Sequence, residues 1–161
     1  MNETEIDESA FSGIVSRLAE AGVDSIGALG STGNYAYLTR EERKRVARLA
    51  VTAAGTTPVM IGIGSLRTAH VRALAEDAQN AGAAAVLLAP MSYQQLTAEE
   101  VFGLYDAVTR ELSVPLCVYD NPVPPTSPSP TNCTAASPNS RRSDRSRFPA
   151  SRSLPPRQPV E

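Results

Sequence analysis

Four apolar, strand-like segments near residues 25, 59, 85 and 115 recur about every 30 residues, each preceded by a helical pattern. That alternation is what most restricts the fold. "SAFSGIVSRLAEAG" has helical spacing and ends at Gly22, and "VDSIGALG" follows as a strand. Thr39 and Glu42 form a capping box that opens the helix "REERKRVARLAVTAA", and Thr97 and Glu100 repeat the device before "EVFGLYDAVTREL". Between them lie the strand "TPVMIGIG", the helix "LRTAHVRALAEDAQNAG" and the strand "AAAVLLAP"; "VPLCVYDNP" closes the series. Two junctions rhyme, since "AGVDSIGALG" and "AGAAAVLLAP" both pass through Ala-Gly into a strand. Short connections and continuously apolar strands predict a parallel sheet under helices, either doubly wound or a (β/α)8 barrel. A complete barrel takes roughly 250 residues. About four βα units are visible, so on the second alternative the chain carries a partial TIM barrel.

Composition divides the chain near Pro122. Residues 1–121 carry 9 basic and 15 acidic side chains, a net of −6, whereas the last 40 carry 6 and 2, a net of +4. Ten of the 13 prolines lie from Pro122 onward. Residues 1–122 therefore read as the α/β domain, and 123–161 as a Pro/Ser/Arg-rich tail without helical or strand period, disordered on composition. The tract "SRRSDRSR" has no aromatic platform beside it, so no nucleic-acid partner is expected. The acidic start "MNETEIDESAF" lacks an apolar signal region, and no apolar run is long enough to span a bilayer; no membrane partner and a cytoplasmic location are expected. Cys117 and Cys133 read as free thiols. His70, alone near a helix start, offers no metal site.

The corner "GALGSTGNYAYL" lies at the C-terminal end of the first strand, where α/β folds place ligands. Gly30 and Gly33 admit close approach. Ser31 and Thr32 offer hydroxyls and amides, and a following helix start adds partial positive charge, which suits a small carboxylate. The corner matches neither a P-loop nor a dinucleotide fingerprint. Gly62 and Gly64 in "MIGIGS" read either as room for a ligand or as a strand-end turn, and Asp120 and Asn121 either as substrate-orienting or as turn formers. The mixed charges of "REERKR" read as a solvated helix face.

Taken together, "AGVDSIGALGSTGNYAYLTREER", "APMSY" and "VPLCVYDNP", in this order and spacing, resemble the dihydrodipicolinate synthase / N-acetylneuraminate lyase family over about residues 5–122. The resemblance implies a (β/α)8 barrel, usually in a homo-oligomer. It implies a class I carbon–carbon lyase or synthase acting on pyruvate or another 2-keto acid through a lysine Schiff base, with no cofactor. Ser31 and Thr32, with Gly33, correspond to the carboxylate-binding turn; Ser31 also enters a proton relay, and Tyr119 corresponds to the phenol that shuttles protons. Two positions depart from the family. Asn34 stands where relatives have Glu, and Ser92 stands where they have a tyrosine donated across a dimer interface, leaving Tyr93 one place later as a possible substitute.

The family's nucleophile is a lysine on the strand after "YxNP". The only lysine of this chain is Lys44, on a charged helix face where nothing lowers its pKa, so the chain is expected to be inactive as a Schiff-base enzyme. A base lost near the Pro122 codon accounts for the absence: re-read one frame away with suitable synonymous codons, the tail can spell a helical segment and then a strand containing "SVKIPG". The tail thus reads as out of frame, and the start as lying past the family's first strand. The alternative is a non-catalytic remnant or a small α/β binding domain.

Overall fold

The structure, a computed structural model, describes residues 6–119 and 135–136. Asp7 starts helix α1 (Glu8–Glu20), its carboxylate accepting from the Ala10 amide at 2.9 Å. Strand β1 (Ile26–Ala28) follows, then helix α2 (Arg40–Ala54), β2 (Val59–Gly62), α3 (Thr68–Asn80), β3 (Ala85–Leu88), α4 (Ala98–Thr109) and β4 (Leu116–Val118). Both capping boxes are formed: the Thr39 and Thr97 hydroxyls accept from the Glu42 and Glu100 amides, and the two glutamates accept in return from the threonine amides. The strands are shorter than their apolar stretches suggest, because Val23–Ser25 and Ala89–Pro90 belong to the flanking turns.

The four strands pair in parallel in the order β1-β2-β3-β4. That order resolves the alternatives the sequence leaves open. A doubly wound sheet reverses its strand order at a switch point, whereas a barrel adds each strand beyond the last. Successive helices pack on one another, α1 on α2, α2 on α3, α3 on α4, as in the outer ring of a barrel. The fold is a partial TIM barrel of four units. Register sorts its two faces: Ala28, Ile61, Val86 and Leu116 lie side by side beneath the helices and are buried. On the opposite, lumen-facing side, Gly62, Leu87 and Cys117 form one layer, with Leu87 and Cys117 only half-buried. Each fully buried aliphatic between sheet and helices contributes roughly 1.5–3 kcal/mol.

Within the segment read as a tail, Ala135–Ala136 forms a two-residue strand, β5, antiparallel to β4. An open strand edge offers unpaired backbone groups to any nearby chain. The rest of 123–161, and with it the reading of a disordered, out-of-frame segment, lies outside the described residues, as do Asp120, Asn121 and Cys133. Among the described residues no helix is long and apolar enough to cross a membrane.

An ion pair built on a buried carboxylate joins α2 to α3. Asp77 is 5% exposed and accepts from Arg40 Nε at 2.7 Å, with Lys44 Nζ 3.3 Å away. Burial pushes the Asp77 carboxyl upward, but hydrogen bonds and charge from Arg40 and Lys44 outweigh it and hold the group below its ordinary value. A carboxyl depressed in the folded state binds its proton more readily when unfolded. Its stabilisation is therefore complete above the unfolded value, roughly pH 4, and is lost as pH falls through the lower folded value. Asp77→Asn should cost about 2 kcal/mol at pH 7 and much less near pH 2, read from urea midpoints. An equal loss at both pH values would remove charge from the explanation.

Candidate functional site

Past Ala28 the chain leaves the sheet through Leu29, a buried residue held at φ 57, a backbone region that leucine rarely occupies. Gly30 is extended, and Ser31–Gly33 forms a 3-10 turn in which the Gly33 amide donates to the Gly30 carbonyl at 2.8 Å. Asn34 closes that turn in the left-handed conformation, φ 51. This gives a local reason for the residue, since asparagine tolerates that region better than glutamate does. A second 3-10 turn, Tyr35–Tyr37, precedes α2. Helix α2 starts at Arg40, where the Thr39 capping box puts it, and because this second turn intervenes the partial charge of its first turn is not at Ser31.

The corner opens on a cavity of about 200 Å³ at the C-terminal ends of β1, β2, β3 and β4. Ser31 and Thr32 line it from one side and Tyr119, just past β4, from another; Gly62 and Gly64 complete the β2 side. Three of the residues singled out from sequence, Ser31 and Tyr119 being 88 positions apart, therefore meet in one place. The Tyr119 amide donates to the Leu88 carbonyl at 2.9 Å, which fixes where its side chain departs. Among the described residues the hydroxyls of Ser31, Thr32 and Tyr119 have no hydrogen-bond partner, so all three are open to a ligand.

Gly33 and Tyr93 stand apart. Gly33 lies in the turn without lining the cavity, and Tyr93 is 99% exposed. Ser92, its neighbour, lines a second cavity of about 590 Å³ together with Gln94, Gln95 and Tyr105. The two cavities share Ala89 and Tyr119.

The face read as solvated divides in two. Arg40 and Arg45 are exposed, but Arg43 is buried at 5%. Its Nη1 donates to the Gly64 carbonyl at 2.9 Å and its Nη2 to the Gly62 carbonyl at 3.0 Å, while the guanidinium carbon sits 4.9 Å from the centre of the Tyr35 ring. Burial pushes the guanidinium below its ordinary value, opposed by Tyr35, yet arginine stays cationic at any pH a folded protein meets. The correction has a geometric cause: Arg43 falls on the stripe Arg43, Val46, Ala47, Ala50, Ala54 that α2 turns inward. The Tyr35 hydroxyl in turn donates to Met91 Sδ at 2.8 Å. Neither Arg43 nor Tyr35 stands out in the sequence as part of the site. Lys44, half-buried, faces Asp77 on the helix layer, away from the residues that line the cavity.

The two glycines of "MIGIGS" line the cavity and also serve the protein's own packing. A Cβ at Gly62 would fall on the Leu29 carbonyl oxygen and lie 2.8 Å from its carbon, and one at Gly64 would lie 2.9 Å from the Tyr35 hydroxyl.

Comparison with known proteins agrees with this fold. The pattern of the Dihydrodipicolinate synthetase family matches residues 1–129. A 4-hydroxy-tetrahydrodipicolinate synthase from Phenylobacterium zucineum is 37% identical over 119 residues, 73% of this chain and 40% of that protein. The crystal structure of dihydrodipicolinate synthase from Agrobacterium tumefaciens superposes with a TM-score of 0.70 at 52% identity, covering 73% of this chain and 40% of that one. A prophage protein from E. coli K12 of the dihydrodipicolinic acid synthase family, solved in complex with pyruvate, superposes with a TM-score of 0.72 at 28% identity, covering 76% and 41%. The chain spans about 40% of the length of the curated relatives it matches.

Proposed function

Because this chain belongs to the dihydrodipicolinate synthetase family, we propose that its corner cavity binds the carboxylate of pyruvate or a similar 2-keto acid. The observation that carries this is the convergence of Ser31, Thr32 and Tyr119 on one small cavity, with their hydroxyls uncommitted. A carboxylate accepts hydrogen bonds only, and two adjacent hydroxyls on a turn suit its two oxygens. Tyr119, which lines the same cavity, would in the parent reaction shuttle protons to and from the imine intermediate. The parent reaction is the making or breaking of a carbon–carbon bond through a lysine imine.

For the chain as it stands we propose binding without imine formation. A nucleophilic amine must reach the carbonyl carbon, and Lys44, held at Asp77, does not line the cavity. Pyruvate should therefore bind reversibly, Ser31→Ala combined with Thr32→Val should weaken it about tenfold or more, and borohydride should leave the protein mass unchanged. Titration calorimetry and intact mass spectrometry read the two halves. A borohydride-trapped adduct on Lys44 would refute the second half, and undiminished binding by the double variant the first.

A further inference from the structure

The cavity has one wall that the carboxylate chemistry does not use. Tyr35 lines it beside Ser31 and Thr32. Its ring is held from three directions: Arg43 lies 4.9 Å from the ring centre, Met91 Sδ accepts its hydroxyl, and the hydroxyl stands directly over Gly64. Gly64, which also lines the cavity, makes room for this phenol. Arg43 is itself anchored to two backbone carbonyls of the same strand end, so the ring rests on backbone and not on a mobile side chain. A longer acid entering along this wall would have to break the Met91 contact and move a ring that a buried cation supports.

We infer that Tyr35 is the specificity-determining wall of this cavity, restricting it to the shortest 2-keto acids. The inference rests on the keto-acid reading above. At Tyr35 a smaller side chain would join the ring's volume to the cavity and give the alkyl group of a 2-keto acid room to extend while its carboxylate sits at Ser31 and Thr32. Exclusion is a steric matter of one or two methylenes, and differences of that size change affinity about tenfold or more.

The test uses the full 161-residue chain and two probes, pyruvate and 2-oxopentanoate, titrated separately by calorimetry. The wild-type chain should favour pyruvate. In Tyr35→Ala the pyruvate-to-oxopentanoate affinity ratio should fall about tenfold, and Tyr35→Leu, which retains apolar bulk but ends short of Met91, should move it the same way if the alanine variant does not fold. Tyr37→Ala, at an 86% exposed position in the same turn, should keep the wild-type ratio. Should wild type bind pyruvate while the folded Tyr35 variants keep its ratio, the assignment of Tyr35 is overturned and the keto-acid site stands. Should wild type bind neither acid, the keto-acid reading falls and this inference with it, a different and recognisable result.

Discussion

Replacing Gly62 by alanine is expected to prevent the chain from folding as described, or to destabilise it by more than about 3 kcal/mol. The new methyl group would coincide with the Leu29 carbonyl oxygen and lie 2.8 Å from its carbon, and both atoms are backbone. A side-chain clash relaxes by a rotamer change, but a backbone clash moves the element that carries it. Leu29 has little latitude, since it is 5% exposed and already sits at φ 57. Moving it would drag Gly30 and Ser31 and so disturb the carboxylate corner. Against a typical domain stability of ~5–15 kcal/mol, the loss is a large fraction. Gly30→Ala is the contrasting variant: a Cβ there meets nothing within 4 Å and the backbone is at φ −78, so it should cost well under 1 kcal/mol. Urea unfolding followed by circular dichroism compares the two directly. Equal midpoints would show that the Leu29–Gly62 approach does not constrain the fold.

The contrast between these glycines illustrates what the sequence discloses and what it withholds. Helices and strands are legible because their signals are local. Thr39 with Glu42 and Thr97 with Glu100 mark two helix starts, and the β-branched run from Val59 to Ile63 marks a buried strand. That Ser31, Thr32 and Tyr119 belong together is legible only through resemblance to a family. Their meeting depends on parallel registers such as Leu87 beside Cys117, which no single segment encodes. Gly62 reads as possible room for a ligand because its neighbour, the Leu29 carbonyl, comes from the distant segment that follows β1. Tyr35 is hidden for a similar reason: the left-handed turn at Asn34 redirects the chain before it. Arg43 could have been found, since the spacing 43, 46, 47, 50, 54 is regular and apolar apart from its first member. The charges on either side of it carried the reading the wrong way.

Arg43 also gives the second large expected effect. Arg43→Met keeps an unbranched apolar stem but removes every donor, leaving the Gly62 and Gly64 carbonyls without the partners they have now. An unsatisfied buried carbonyl costs ~1–3 kcal/mol, so the variant should lose roughly 2–4 kcal/mol in urea unfolding. Arg43→Lys should fall between, because one ammonium is a single point of charge and cannot span two carbonyls as the planar guanidinium does. Part of the wild-type benefit is already offset, since Arg43 Nε is buried and has no partner among the described residues. Any net benefit of Arg43 must come through its other nitrogens or through Tyr35. The two contributions separate by readout. If Arg43 acts only on the carbonyls, stability falls and the preference for pyruvate over 2-oxopentanoate stays as it was. If it also props the Tyr35 ring from beneath, the methionine variant relaxes that preference in the direction of Tyr35→Ala, under conditions where the protein remains folded. Full wild-type stability in Arg43→Met would mean that the strand end is satisfied by other groups and that the guanidinium does not hold it.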